Sequence, residues 1–257
     1  MALINKSGNP ALNKNTFNMT SRAAAFEQSE VMTINGTVNK IFVMLLLVMA
    51  GAAFVWNKFF GFGDTGAGTS AVMPWLIGGG IGGFIVALVT VFKKTAARVT
   101  APIYAVLQGL FLGAISAIFE AQYPGIVVQA VGLTFGVFLA LLMAYRSGMI
   151  KVTQNFRLGV VAATGGIAIF YLVTFVAGLF GVNTSFLHGS SLLSIGISLV
   201  IVIVAAMNLV LDFDFIETGA EQGAPKYMEW YGAFGLMVTL IWLYIEMLRL
   251  LSKIMRR

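Results

Sequence analysis

Residues 192–217 read LLSIGISLVIVIVAAMNLVLDFDFIE, and the class of fold turns on this stretch. Its first 20 residues, up to Leu211, carry no charge, and Leu199-Val200-Ile201-Val202-Ile203-Val204 is apolar at every position. A transmembrane β-strand would alternate apolar and polar residues over about ten positions. A continuous run of about 20 apolar residues is instead what an α-helix needs to cross a hydrocarbon core about 30 Å thick. Comparable runs occupy residues 38–56, 71–92, 101–119, 126–145, 159–181 and 231–254. Seven transmembrane helices are therefore expected, in an all-α integral membrane protein.

Composition agrees. Of 257 residues, 59% are hydrophobic and 10% charged, with a mean hydropathy of +0.91. Soluble domains carry about 25% charged residues, so this chain has too few to coat a water-facing globule. The absence of Cys excludes disulfides and thiolate metal sites. A single His leaves no multi-histidine metal site and makes a Ser-His-Asp triad hard to build. Neither His-Glu-x-x-His nor Gly-x-Ser-x-Gly occurs, so no enzyme activity and no cofactor are expected. The net charge of +6 comes from scattered Lys and Arg, which offer no nucleic-acid face. The expected partner is the lipid bilayer.

Residues 1–37 form a polar tail containing Asn9-Pro10, with a short surface helix expected around residues 21–32, and residues 38–257 form the membrane domain. Lys6, Lys14, Arg22 and Lys40 lie before or at the first helix; Lys93, Lys94 and Arg98 lie between helices two and three; Arg146, Lys151 and Arg157 lie between four and five. The alternate connections hold only Lys58. This asymmetry places the N-terminus in the cytosol. Seven crossings then put the basic end, with Arg249, Lys253, Arg256 and Arg257, on the far side; a last segment that enters and returns is the alternative. The polar tail does not resemble a cleaved signal peptide, which fits a bacterial cytoplasmic (inner) membrane. Residues 61–70 and 217–226 are expected as the long polar connections.

Gly78/Gly82, Gly79/Gly83, Gly109/Gly113 and Gly132/Gly136 are spaced for close helix packing. Intramembrane carboxylates are costlier, at least about 2.5–3.5 kcal/mol each at mid-membrane. Asp212 and Asp214 sit among large apolar residues at the expected inner membrane edge, and Glu246 lies within Leu243-Tyr244-Ile245-Glu246-Met247. Two such groups brought together share a proton and titrate as a unit, and they offer hard oxygen ligands to Ca²⁺. The plainer alternative pairs Glu246 with Arg249, three residues on. Glu120 and Glu229 read as helix-end residues and His188 as an exposed loop residue.

Asp212-Phe213-Asp214-Phe215-Ile216, Leu243-Tyr244-Ile245-Glu246 and seven helices together resemble the Bax inhibitor (transmembrane Bax-inhibitor-motif) family, and a bacterial branch of it most closely. Asn9-Pro10-Ala11-Leu12, Ala101-Pro102-Ile103-Tyr104-Ala105 and Tyr123-Pro124-Gly125-Ile126 extend the likeness over nearly the whole chain. The resemblance implies six helices around a central seventh, and a pH-sensitive cation leak, chiefly for Ca²⁺, governed by an acidic pair on the last two helices. Carried over by pattern, the pair falls on Asp212 and Glu246. Glu replaces the family's Asp there and Met247 its Phe, while Asp214 supplies a third carboxylate. Arg249, Lys94 and Arg98 are the candidate gating partners. Some bacterial relatives are instead linked to regulation of a membrane-bound protease or quality-control complex, and the tail would carry that role here. One geometric demand stands against the pairing. Glu246 lies about 22 Å along an ideal helix from Tyr231, so meeting Asp212 requires the buried part of the last helix to begin near Gly235, or both helices to tilt.

Overall fold

The computed structural model describes residues 30–61, 68–181 and 189–257. Seven helices are long and apolar enough to cross a membrane: α1 (Ile34–Phe60), α2 (Gly68–Phe92), α3 (Ala97–Gln122), α4 (Ile126–Arg146), α5 (Gln154–Leu179), α6 (Leu192–Glu221) and α7 (Met228–Met255). The tail through residue 29, with most of the expected helix at 21–32, lies outside the described residues, as does His188.

Local signals set several boundaries. The side chains of Thr33, Thr153 and Ser191 accept hydrogen bonds from backbone N–H groups in the first turns of α1, α5 and α6, groups that otherwise lack helical partners. Gly125, with φ of +86°, turns the chain into α4, a conformation that glycine adopts without a Cβ penalty. Glu120 bridges the same corner, accepting from the N–H groups of Gly125 (2.5 Å) and Val127 (3.0 Å). Two expected boundaries are corrected. α1 begins at Ile34, four residues before the domain boundary placed at 38. α6 continues to Glu221 through half of the polar stretch expected as a loop, extending beyond the buried Phe213 and Ile216 on its inner face.

Glycine divides the bundle into a tight half and a loose half. A Cβ on Gly109 would stand 2.5 Å from the Val48 carbonyl, one on Gly113 2.6 Å from that of Ala52, and one on Gly79 2.6 Å from that of Leu107. α1, α2 and α3 thus touch backbone to backbone, as small residues permit in lipid. Gly78, Gly132 and Gly136, expected to act likewise, meet nothing within 4 Å. They face outward.

α7 is the innermost helix. It packs against α1, α3, α4 and α6 and runs the length of the bundle. Its first turns lie beside the start of α1, while Lys253 near its end lies beside Ser194 and Ser198 at the start of α6. The last segment therefore does not turn back, and its end is opposite that of Ile34. α2 is held through α3 and α1, and α5 through α6 and the contacts of Tyr171 with Glu246 and Arg249 on α7. Residues 30–33 form a strap over the near end. Val31 bridges to Pro225, the Met32 N–H donates to the Ala224 carbonyl (2.6 Å), and the Lys226 N–H donates to that of Glu30 (2.7 Å).

Candidate functional site

The antiparallel seam between α6 and α7 carries glycine or a polar residue at heptad intervals. On α7 these positions are Gly232, Thr239, Glu246 and Lys253; seven residues are close to two helical turns, so all four share a face. The residues across the seam on α6 are Gly219, Asp212 and Ser198. Lys253 Nζ donates to Ser198 Oγ (2.7 Å) and to the Ser194 carbonyl (3.3 Å). At the strap end, the Met32 side chain fills the notch between the two glycines, its Sδ 3.1 Å from a Cβ on Gly219 and its Cε 3.6 Å from one on Gly232.

Asp212 lies between these ends, about 14 Å from the last residue of α6. Its Oδ1 is 3.9 Å from a Cβ on Gly235, and Thr239 lies one turn further along the same face of α7. The Thr239 hydroxyl donates to the Gly235 carbonyl at 3.3 Å. Asp212 Oδ2 is buried with no hydrogen-bond partner, and no ion pair among the described residues includes Asp212.

The structure does not bring Asp212 and Glu246 together. Glu246, 1% exposed, stands about 10 Å further along α7 than Thr239. Its Oε1 accepts from Arg249 (2.9 Å) and from the Tyr171 hydroxyl (2.9 Å), and Arg249 also donates to that hydroxyl (2.6 Å). The local ion pair is thus the arrangement found. Asp214 is equally committed, accepting from Arg157 on α5 at 2.5 Å. Of the candidate gating partners, Arg249 meets Glu246, Lys94 rests 5.4 Å from the ring centre of Tyr231, and Arg98 is exposed. No group of three or more His, Cys, Asp or Glu side chains able to hold a metal ion occurs among the described residues.

Two buried charges escaped the sequence reading. Glu229, taken as a helix-end residue, is fully buried and paired with Lys40 (2.8 Å) and Lys226 (2.9 Å), and it accepts from the Thr33 N–H and hydroxyl. The spacing of Lys226 three residues before Glu229 was a usable local signal; the partner from α1 was not visible. Lys253 had been read only as part of a basic end.

The family described as Bax inhibitor 1 like matches residues 9–256, nearly the whole chain. The chain belongs to this family. No curated protein and no solved structure shows significant similarity to it. On α7 of this chain, the glutamate carried over from the sequence pattern lies beyond Gly235, the residue beside Asp212 Oδ1, and about two turns beyond Thr239.

Proposed function

We propose that this protein forms a pH-sensitive leak pathway for cations, Ca²⁺ in particular, along the α6/α7 seam, with Asp212 as the group that responds to protons and cations. The single observation behind this reading is that Asp212 Oδ2 is buried without a hydrogen-bond partner while its carboxylate joins no ion pair among the described residues; Glu246 Oε2 is also unpartnered, but that carboxylate is held by Arg249. An intramembrane carboxylate in the condition of Asp212 is costly to keep and marks an ion or proton route more readily than a structural tie. Glu246 and Asp214 have arginine partners and serve to hold α7 and α5 in place.

Thr239 gives Asp212 two hydrogen-bond arrangements. When Asp212 is protonated, its O–H donates to Thr239 Oγ1 while the threonine proton stays on the Gly235 carbonyl. When Asp212 is ionised, the hydroxyl turns and donates to the carboxylate, leaving the Gly235 carbonyl with its helical bond and one unused lone pair. A passing Ca²⁺ then finds the carboxylate and that lone pair, both hard oxygen ligands. That is too few ligands to hold the ion tightly, as conduction requires. Met32 fills the notch at the strap end and the Lys253 ammonium opposes cations at the other, so in this reading both side chains move when ions pass.

The test is Ca²⁺ entry into proteoliposomes from mildly acidic to mildly alkaline pH. Asp212→Asn is expected to flatten the pH response, and Glu246→Gln to retain it. An unchanged response in Asp212→Asn, or the absence of any wild-type flux, would overturn the reading. A second reading, regulation of a membrane protease or quality-control complex through the tail, draws on the strap, which joins residues 30–33 to the entrance of α7. Capture of such a complex by the wild type and its loss without residues 1–29, with no flux in either, would favour that role.

A further inference from the structure

We propose that the groove between α1 and α4 is a binding site for one acyl chain of a bilayer phospholipid, independent of the seam. α1 and α4 share no packed interface, and between them lies a cavity of about 400 Å³ floored by α3 and α7. Its lining along α1 runs from Leu45 to Trp56, about 16 Å of helix. That matches one leaflet of hydrocarbon, half of a core about 30 Å thick.

The groove is polarised along this length. Gly109 packs on Val48 and Gly113 on Ala52, so α3 runs parallel to α1 and Ser116 stands near the level of Trp56. The deep end, at Leu45, Phe135 and Met237, is apolar, while Ser116 and Tyr244 lie toward the end remote from the strap. Ser116 Oγ and the Tyr244 hydroxyl are 2.7 Å apart. Two hydroxyls carry two protons, and a single bond between them uses one. Neither hydroxyl has a second partner among the described residues, so one O–H remains to donate at the mouth of an otherwise apolar slot. Trp56 at the same end is the residue type that settles at the membrane–water boundary. A donor at the boundary above a leaflet-deep apolar slot is complementary to a fatty acyl ester, with its carbonyl on the spare O–H and its chain in the slot. The surrounding bilayer supplies such esters as phospholipid.

Photo-crosslinking in proteoliposomes distinguishes this chain from the lipid that coats every outward face. The probe is a phosphatidylcholine with a diazirine on one acyl chain. Met237 and Leu240 are 1% and 5% exposed yet line the groove, so they are labelled only by a chain that has entered it. Label on α7 at these residues is expected in the wild type, and its loss in Val131→Trp, which fills the slot. Label on the outward face of α5 should persist and so report an intact, inserted protein. Ala53→Phe blocks the same slot from α1 and replaces Val131→Trp if that variant does not assemble. Ser116→Ala with Tyr244→Phe is expected to lower α7 labelling about fivefold, the equivalent of one neutral hydrogen bond of about 1 kcal/mol. No α7 label in the wild type, or the same label in both blocked variants, would overturn the proposal. So would α7 label from a diazirine fatty acid but none from the phospholipid.

Discussion

Thr239 stands one turn beyond Gly235, the α7 residue whose Cβ position lies 3.9 Å from Asp212 Oδ1, and the seven residues separating Thr239 from Glu246 put that glutamate about 10 Å further along the helix. A second acid would have to stand at position 239 to form a pair with Asp212. Thr239→Asp is therefore expected to convert a single-step pH dependence of Ca²⁺ flux into two steps, because two facing carboxylates titrate as one coupled system. Thr239→Val keeps the shape and removes the hydroxyl, so flux should lose its pH dependence while the bundle still assembles. A one-step profile in Thr239→Asp together with a wild-type profile in Thr239→Val would remove Thr239 from the mechanism.

Met32 is 2% exposed and occupies the notch between Gly219 and Gly232. Met32→Ala leaves a cavity there, and truncating a buried Met costs about 2–5 kcal/mol. The lower end is expected because the notch lies at the end of the bundle. Basal Ca²⁺ flux should rise at every pH while its dependence on Asp212 persists. Removing residues 1–29 leaves the strap in place and should not change flux, whereas removing residues 1–37 takes away Met32 and Thr33 and should both open and destabilise the protein. Equal flux from the two truncations would show that the strap is not a closure.

The seven helices were legible because each is a long, predominantly apolar run, and the heavily buried α7 still reads as one despite Glu246, Arg249 and Lys253. Glu246 was legible as a costly residue, and its pairing with Arg249 followed from a spacing of three. The opposition of Asp212 and Thr239 was not, since it depends on the register between two helices, and nothing local in either sequence sets that register. The stripe Gly132/Gly136 misled for a related reason. Spacing shows that a helix can be approached closely, but not whether a neighbour does so. Glu229 was only half legible: Lys226 is three residues away, but Lys40 and Thr33 come from nearly 200 positions earlier, and a glutamate in a helix's first turn has an ordinary explanation in the helix dipole.

The Glu229 clamp yields a stability prediction. Both lysines are partly exposed at 25% and 34%, while the carboxylate is not exposed at all. Breaking a buried pair costs about 3–5 kcal/mol, and solvent at the lysines reduces this to about 2–3 kcal/mol for Glu229→Ala. Gly36→Ala should be damaging by a different route, because its Cβ would lie 2.0 Å from Glu229 Oε1 and must displace the carboxylate. Thermal unfolding in detergent should show both variants below wild type, with the double variant no worse than Glu229→Ala alone, since the clash disappears with the glutamate. Additive losses would separate Gly36 from the clamp.

α5 has a single buried residue, Val160, and is tied to the bundle by polar rungs at intervals of seven. Arg157 meets Asp214, Thr164 accepts from Asn208 Nδ2 (2.8 Å), and Tyr171 meets Glu246 and Arg249. Apolar packing gives little force between helices in lipid, so these rungs set the position of α5. The Arg157 guanidinium is 59% exposed and contributes least. Interhelical hydrogen bonds in membranes average about 0.6 kcal/mol, so Thr164→Val with Tyr171→Phe, which together remove three of them, should lose about 1.8 kcal/mol. That loss would raise the population of a displaced α5 about twentyfold. The chain has no native cysteine, so spin labels on Val161→Cys and Val99→Cys, both at exposed positions, report the α5–α3 distance without further changes. The distance distribution should broaden in the double variant and stay narrow when Thr174, whose hydroxyl donates within α5 to the Phe170 carbonyl, is changed to Val instead. A narrow distribution in both would mean that lipid packing, and not the rungs, positions α5.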